Sequence, residues 1–326
     1  MFKIKSPYAA VSALIPDAEN HYKTNLHTHS TYSDANNTMA DMIFEFYDKD
    51  FDILAFAEHG IFGKEWDKEP SIIPLFRFQY LWHGKRRYLT TAEFKAVLDG
   101  SYKTEKNTRS KSRGLMCVPH AIEANMFTLM KNHVNGYFTN DVLEGKYGKE
   151  NDFEIPIATV EKSGGISHIN HPTDWLGAYK DPECARMPEN VAFFADLFRR
   201  YKSCVGMEVL NMYDRPNRSD RILWDELLMT LIPEGERTVW GFGNSDAHRV
   251  TEIDTAFMDF ILPDYSPENL RRAMENGNFF AVFGRSIKVT AKGRHRDKTG
   301  IQNRKIFYGN FFILFKQYLQ DLFHPW

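Results

Sequence analysis

Two histidines stand two residues apart in the stretch N-L-H-T-H-S-T-Y-S-D-A, which begins at residue 25. On a β-strand, side chains at positions i and i+2 point to the same side, so His27 and His29 could hold one metal ion together. The same spacing returns later in the chain, in S-D-A-H, where it separates Asp246 from His248. One such pair is weak evidence, but a second pair at a separate place indicates a metal site.

Further side chains of ligand type follow short apolar runs that predict strands. They are Asp34, His59, Glu123, His133 and His171. Alone, each is better explained as an exposed histidine or a helix-capping carboxylate. Together with the two pairs they make six histidines and three carboxylates, a donor set suited to two or three divalent ions. Imidazole mixed with carboxylate favours Zn, Mn or Fe over Mg or Ca, without choosing among the three.

The elements that position these residues can be predicted from the same apolar runs. Strands are predicted at 22–26, 51–57, 165–169, 205–210 and 239–242, and a helix is predicted to begin after an N-cap at Thr38. Strands that alternate with helices indicate a parallel α/β fold, and in barrels of that kind the chemistry lies at the carboxyl ends of the strands. We therefore expect the ligand-type side chains to meet at one end of a barrel.

The composition is that of an ordinary globular protein, with 43% hydrophobic and 26% charged residues among 326. A net charge of −2 does not indicate a nucleic acid or an anionic membrane as partner. The three cysteines, Cys117, Cys184 and Cys204, are far apart and predict buried thiols in a reducing compartment. The N-terminus shows no signal-peptide pattern and no run is long enough to span a membrane, so we expect a soluble cytoplasmic protein.

As a set, the motifs resemble those of the PHP superfamily (polymerase and histidinol phosphatase), a family of metal-dependent phosphoesterases. The residues that carry the resemblance are H-T-H-S-T-Y-S-D at 27–34, A-E-H ending at His59, I-E-A-N with Glu123, N-H-V-N-G-Y-F with His133, H-P at 171–172 and S-D-A-H at 245–248. They lie within roughly residues 20–285. The chain departs from the family pattern beside three of the ligand candidates, at Ala35, Glu58 and Thr173, where Gly, Asp and Gly are usual.

The resemblance implies a distorted (β/α)7 TIM-like barrel over residues 1–285, with an insertion or lid at 61–113. Residues 286–326 would form a C-terminal appendage of unknown role, for which we expect a docking helix or hairpin. The insertion closes with the charged run K-T-E-K-N-T-R-S-K-S-R at 103–113, which predicts a solvated loop.

The resemblance also implies an assignment of ligands to three ions. The first ion would take His27, His29, Glu123 and Asp246; the second His133 and His171, with Glu123 as a bridge; the third Asp34, His59 and His248. A site for two ions also fits the sequence, if the third group binds weakly.

The implied reaction is hydrolysis of a phosphoester, a small phosphomonoester or a nucleotide, by a metal-bridging hydroxide. The catalytic candidates are Glu123, Asp246, His248 and Arg249. Candidates for a phosphate contact are Arg249 first, then Arg215 and Arg218. His120 and His168 lie beside ligand positions and are candidates for hydrogen bonds that orient the ligands.

Two other functions remain open from the sequence. Amidohydrolase barrels also begin with H-x-H and end with a late Asp, although they usually carry a carboxylated Lys where Glu123 stands here. A non-catalytic metal-binding module could bind a partner through 61–113 or the basic tail. A short oligonucleotide is a further candidate substrate, but the basic runs are too diffuse to indicate nucleic-acid binding. The sequence does not indicate an oligomeric state.

Overall fold

The structure is a computed structural model that describes residues 6–70, 85–124, 132–139, 153–178, 180–212, 218–233, 235, 237–283 and 306–309. The strands in these ranges are β1 His21–Asn25, β2 Ile53–Leu54, β3 Met116–Cys117, β4 Ile122–Glu123, β5 Val134–Tyr137, β6 Ile166–Ile169, β7 Cys204–Asn211, β8 Trp240–Asn244, β9 Ala256–Ile261, β10 Phe279–Phe283 and β11 Ile306–Gly309. The α-helices are α1 Met39–Asp48, α2 Thr91–Asp99, α3 Glu154–Lys162, α4 Pro172–Trp175, α5 Pro188–Arg200, α6 Arg218–Leu231 and α7 Pro267–Asn276. Short 3-10 helices lie at Ala9–Val11, Ala18–Asn20 and Pro182–Arg186.

The strands form two sheets, with the orders β11-β10-β9-β1-β2-β3 and β4-β5-β6-β7-β8. Parallel pairs are β1 with β2, β2 with β3, β6 with β7 and β7 with β8. Two isolated parallel bridges, Thr28 with Ala247 and His59 with Glu123, join one sheet to the other. The fold is therefore mixed α/β, and the two bridges lie among the candidate metal ligands.

All five strands predicted from the sequence are present, although β2 is much shorter than its predicted range. The parallel order is only partly right, because β4 and β5, and β5 and β6, pair antiparallel. β4 ends at Glu123 and β5 begins at Val134, so their connection is shorter than the dozen or so residues that a parallel crossover requires. The closed TIM-like barrel is not established by these two sheets and stays a prediction.

Helix α1 begins where the sequence predicts. Thr38 Oγ1 accepts a hydrogen bond from Asp41 N, and Asp41 Oδ2 accepts one from Thr38 N, which satisfies two backbone N–H groups at the helix start. Its apolar face, which includes Ile43 and Phe46, is fully buried against the first sheet. The loop that carries His29 leads into this helix, so the packing of α1 also holds the beginning of the site.

Helices α5 and α6 cover the second sheet. Phe194 and Phe198 of α5 and Leu227 of α6 lie in one fully buried cluster with Met207 of β7. Burial of each such side chain contributes about 1.5–3 kcal/mol relative to an exposed position. This packing fixes the positions of β7 and β8, whose carboxyl ends lie beside the candidate ligands.

The charged run 103–113 is an exposed loop, as the sequence predicts, and carboxylates at and just after the end of α1 anchor it. Thr104 Oγ1 donates to both oxygens of Asp48, at 2.6 and 2.7 Å. The backbone N–H and hydroxyl of Ser110 donate to Asp50, at 2.7 and 2.6 Å. Many of its side chains are exposed, yet its backbone is held to the body of the protein.

Arg109 makes the strongest of these attachments. Its guanidinium donates to the backbone carbonyls of Tyr47, Phe51, Arg113 and Gly114, at 2.7–3.2 Å. One side chain therefore links the end of α1, the start of β2 and the end of the charged run.

Most of the predicted tail lies outside the described residues. Within it, Ile306–Gly309 forms β11, which pairs antiparallel with β10 at the edge of the first sheet. No helix in the described ranges is long and apolar enough to cross a membrane. Cys184 and Cys204 are buried, Cys117 is half-buried, and all three are free thiols. A cytoplasmic location stays a prediction from the sequence.

We expect Arg109→Lys to lower the free energy of unfolding by about 2–3 kcal/mol, because a lysine ammonium cannot serve carbonyls on three segments at once. Urea unfolding measures the change. Lys106→Ala is the matched control, since Lys106 lies in the same run and its ion-pair partner among the described residues is Glu45, at the surface. A loss no greater for Arg109→Lys than for the control would contradict the anchoring role.

His21 predicts a dependence of stability on pH. Its Nδ1 lies 2.8 Å from Asp259 Oδ2 and its Nε2 lies 2.8 Å from the Ile15 carbonyl oxygen, so both bonds form only when the ring carries two protons. The hydrogen bond to Asp259 raises the pKa of His21 above its ordinary value, against the opposing effect of burial. Its contribution is then complete below the unfolded pKa of about 6.5 and is lost as pH rises through the folded pKa.

We therefore expect His21→Gln to destabilise the protein more at acidic than at alkaline pH. The difference should be about 1 kcal/mol or less, because the pair is partly exposed. Urea unfolding of both proteins well below and well above the unfolded pKa provides the measurement. An equal loss under both conditions would exclude the doubly protonated ring.

Candidate metal centre

All nine candidate ligands meet at one place in the structure. Those before or after strands are His27 and His29 (after β1), His59 (after β2), Glu123 (end of β4), His133 (before β5), His171 (after β6), and Asp246 and His248 (after β8); Asp34 lies in the loop that follows His29. The bridge between Thr28 and Ala247 places the H-x-H pair beside the D-x-H pair. Side chains up to 221 positions apart are thus brought together, as the two spacing patterns predict.

The carboxylate of Glu123 lies at the centre of the cluster. Its oxygens approach ring nitrogens of His27 (3.3 Å), His29 (3.5 Å), His59 (2.7 Å), His133 (2.9 Å) and His171 (3.7 Å). Its side chain is 1% exposed, so bulk solvent screens these groups from one another only weakly. Glu123 can therefore reach two neighbouring ions, as the proposed bridging position requires.

Asp246 forms a second convergence point. Its Oδ1 lies 3.3 Å from His27 Nε2, 3.0 Å from His29 Nε2 and 3.7 Å from His248 Nδ1. Asp34 forms a third, since its two oxygens lie 3.4 Å from His59 Nε2 and 3.2 Å from His248 Nε2.

Among the described residues, the structure contains three sets of side chains that could each surround one ion. Within each set, the donor atoms all lie within 4.8 Å of one another. The sets are His29, Asp34, His59 and His248; His27, His29 and Asp246; and His59, Glu123 and His133. These sets differ from the sequence-based assignment in three respects. Glu123 is absent from the set of His27, His29 and Asp246, and His29 joins the set of Asp34, His59 and His248. His59 stands with Glu123 and His133, whereas His171 lies 3.7 Å from the carboxylate and is in none of the three sets.

The hydrogen bonding of these atoms fits a metal centre. Within the described part of the chain, Glu123 Oε2, Asp246 Oδ1, His59 Nδ1 and both ring nitrogens of His133 are buried without a hydrogen bond. Two of these nitrogens, Nδ1 of His59 and Nδ1 of His133, lie 2.7 and 2.9 Å from oxygens of Glu123. Buried polar atoms almost always find a partner, so a cluster of unpaired nitrogen and oxygen lone pairs indicates a place for cations.

The electrostatics of the cluster favour charged carboxylates. Burial raises the pKa of Glu123, but the imidazoles of His133, His59 and His27 outweigh it and hold that pKa well below its usual range. The same competition holds the pKa of Asp246 well below its usual range, chiefly through His27. Both carboxylates are therefore available as anionic ligands.

Three residues at the carboxyl ends of adjacent strands have positive φ. They are His171 (25°), Met212 (50°) and Asp246 (45°), which follow β6, β7 and β8. Non-glycine residues adopt this conformation at a cost of order 1–3 kcal/mol, and such strain concentrates at functional sites. Here it turns two of the candidate ligands away from the direction of their strands.

Several polar residues around the cluster were not identified as partners from the sequence. Asn170 Nδ2 donates to Glu123 Oε1 at 2.8 Å, and Asn211 Nδ2 donates to Asp246 Oδ2 at 3.1 Å. Glu208, in the middle of β7, lies 2.9 Å from His27 Nδ1. A carboxylate within the apolar run 205–210 was the signal that could have drawn attention to it.

Two of the departures from the family pattern have structural partners. Glu58 accepts hydrogen bonds from the hydroxyls of Ser30 and Ser33 and from Ser30 N, which holds the loop between His29 and Asp34. Burial raises the pKa of Glu58 to about 7, although the serine hydrogen bonds oppose this.

Thr173 donates through its N–H and hydroxyl to Asp220, at 2.9 and 2.7 Å, and this fixes α4 directly after His171. The third departure, Ala35, is fully buried.

The remaining candidates are the arginines predicted to contact phosphate and the two histidines predicted to orient the ligands. Arg249 is exposed beside His248, whereas Arg215 and the side chain of Arg218 lie outside the described residues. His168 is fully buried, 3.7 Å from Glu208. His120 is turned toward Thr139, whose carbonyl oxygen lies 2.9 Å from its Nδ1, and lines a groove with Phe138 and Arg271.

Structural comparison finds similarity to a two-domain protein from Bacteroides vulgatus that contains a predicted PHP-like metal-dependent phosphoesterase. The TM-score is 0.49 at 18% identity, over 81% of this chain and 65% of that one. A lesion-specific endonuclease from Pyrococcus furiosus is similar over 78% of this chain and 56% of its own, with a TM-score of 0.43 and 15% identity. Endonuclease Q in complex with a 27-mer duplex carrying an abasic lesion gives 0.42 and 14%, with the same coverage.

This chain spans less than two thirds of each of these three chains. The sequence itself matches no protein-family model and no curated protein.

We expect divalent cations to raise the midpoint of thermal unfolding and a chelator to lower it, because bound ions would satisfy lone pairs that are otherwise buried and unpaired. The double variant His27→Ala, His29→Ala should lose most of this response. Differential scanning fluorimetry with and without Mn²⁺ or Zn²⁺ measures it. A midpoint that does not respond to cations in the wild-type chain would contradict a metal centre.

Proposed function

We propose that this chain is a metal-dependent phosphoester hydrolase. The observation that carries the proposal is the convergence of six imidazoles and three carboxylates at one end of the strands, with unpaired lone pairs facing one another. The motif resemblance to PHP phosphoesterases supplies the reaction class. The Asp and His of the D-x-H pair both take part in the cluster, which favours this class over an amidohydrolase.

The residues present fit two or three divalent transition ions, of which Zn, Mn and Fe suit the donors best. We assign His27, His29 and Asp246 to one ion; Glu123 and His133, with His59 or His171, to a second; and Asp34, His59 and His248 to a third. When bound, such ions supply an activated water nucleophile near neutral pH and neutralise the charge on phosphate oxygens.

The exposure of the ligands indicates where a substrate enters. The side chains of His248 and Asp34 are 27% and 20% exposed, whereas those of His27 and His29 are fully buried. A phosphoryl group would therefore approach along the edge formed by Asp34 and His248. Arg249 follows His248 at this edge and is our candidate for a charge-assisted contact with phosphate oxygens.

The carboxylates would have separate roles. Glu123 lies at the centre of the site, with ring nitrogens of five histidines within 3.7 Å of its oxygens. Asp246 lies nearer the open edge, 11% exposed, with one oxygen fixed by Asn211 and the other directed into the cluster. That second oxygen is placed to orient a nucleophile for in-line attack on phosphorus.

We propose a small phosphomonoester or a nucleotide as substrate, with a short oligonucleotide as a further candidate. The barrel and its boundaries belong to the same proposal. Seven strands, β1, β2 and β4 to β8, would form an irregular ring within residues 1–285, supported by the two bridges that join the sheets. Residues 286–326 would be an appendage that adds β11 to the sheet edge.

We expect the metal-loaded chain to release phosphate from simple phosphoesters. His27→Ala or Asp246→Asn should lower kcat/KM by about 100-fold or more, because each removes a group from the centre of the cluster. A screen of nucleotides, sugar phosphates and short oligonucleotides, with Mn²⁺, Zn²⁺ or Fe²⁺ added after chelation, measures it.

The control variant is His21→Gln, which removes an imidazole far from the site and should leave activity at neutral pH unchanged. Equal activity of metal-replete wild type and His27→Ala would refute the proposal. Hydrolysis of amides without hydrolysis of phosphoesters would assign the site to an amidohydrolase instead.

A further inference from the structure

Glu208 is a fully buried carboxylate in the middle of β7 that belongs to none of the three donor sets found among the described residues. Its Oε1 lies 2.9 Å from His27 Nδ1 and accepts a hydrogen bond from Asn244 Nδ2 at 3.0 Å. Its Oε2 accepts one from Asn211 Nδ2 at 2.8 Å. Every one of these contacts leads to a residue at or beside the metal centre.

The contact with His27 determines which ring nitrogen carries a proton. A charged carboxylate only accepts hydrogen bonds, so Nδ1 of His27 must donate to Glu208. The other nitrogen, Nε2, then faces Glu123 Oε1 and Asp246 Oδ1, each at 3.3 Å, and is the ring nitrogen that a cation would meet. A histidine ligand held in this way by a carboxylate has both its tautomer and its ring orientation fixed.

The contact with Asn211 reaches the second ligand. The same Nδ2 group of Asn211 donates to Glu208 Oε2 and, at 3.1 Å, to Asp246 Oδ2. Because Oδ2 of Asp246 is occupied in this way, its Oδ1 is the oxygen that faces His27 and His29. Glu208 thus acts on His27 directly and on Asp246 through one intervening amide.

We propose that Glu208 is a positioning residue of the metal centre. It determines which nitrogen of His27 faces the cations and, together with Asn211, which oxygen of Asp246 does so. This inference rests on the proposed function, because it concerns the same site. Loss of such a partner lowers metal affinity by about 10–100-fold in metalloproteins generally.

The substitution Glu208→Gln tests the proposal, because glutamine has the shape of glutamate but carries an NH2 group in place of one carboxylate oxygen. If its amide oxygen faces His27, its NH2 group opposes the NH2 group of Asn211, and Asp246 is released. If its NH2 group faces His27, the ring must accept at Nδ1 and carry its proton on Nε2, where the cation would bind. Both orientations disturb a ligand.

We expect Glu208→Gln to bind Mn²⁺ about 10–100-fold more weakly than the wild-type chain, measured by calorimetric titration after chelation. Histidine side-chain NMR of the metal-free protein should show Nδ1 of His27 protonated in the wild type and this signal changed in Glu208→Gln. Asn211→Ala leaves the contact of Glu208 with His27 in place, so it should weaken binding less.

The matched control is Asp52→Asn, which neutralises another fully buried carboxylate, at the opposite end of β2 from His59. It should reduce stability but leave Mn²⁺ affinity unchanged. Unchanged affinity in Glu208→Gln, or in Asn211→Ala should the first variant not fold, would overturn the inference while the proposed function stands. A wild-type chain that binds no Mn²⁺ would overturn both.

Discussion

Five imidazole nitrogens lie within 3.7 Å of one buried carboxylate, that of Glu123. Burying the polar atoms of this cluster without a hydrogen bond costs free energy that a bound cation would offset. Each imidazole lies near the end of a strand whose position is set by the core. Glu123 itself is held by Asn170 and by the backbone bridge to His59. The cluster is thus preorganised by the packing of both sheets.

Buried charged side chains have different partners at the two ends of the strands. Where β1 and β2 begin, Lys23 pairs with Asp254, and Asp52 pairs with Lys111 and Arg113, so each charge has a partner of opposite sign. Where the strands end, individual ligand atoms such as Glu123 Oε2 and Asp246 Oδ1 have no hydrogen bond among the described residues. Parallel strands place their carboxyl ends together, and α/β barrels place their chemistry there. One end therefore serves stability and the other binding.

The sequence predicts most of the cluster because its signals are local. Residue type and a spacing of two identify both ligand pairs, and short apolar runs place the others at strand ends. Partners that depend on neighbouring strands could not be predicted: Glu208 meets His27 only because β7 lies across from β1 in space. The antiparallel β5 and the anchoring of residues 103–113 also follow from contacts between distant segments. Local patterns locate the ligands, while tertiary contacts decide how they are oriented.

Anomalous X-ray diffraction from crystals grown with Mn²⁺ or Zn²⁺ tests the metal centre most directly. We expect two or three anomalous peaks inside the cluster, each about 2.0–2.3 Å from donor atoms of its ligands. Glu123 should be a ligand of at least one of these ions. Peaks confined to the protein surface, or a metal-free cluster in crystals of fully active protein, would contradict a metal-dependent hydrolase built on these nine residues.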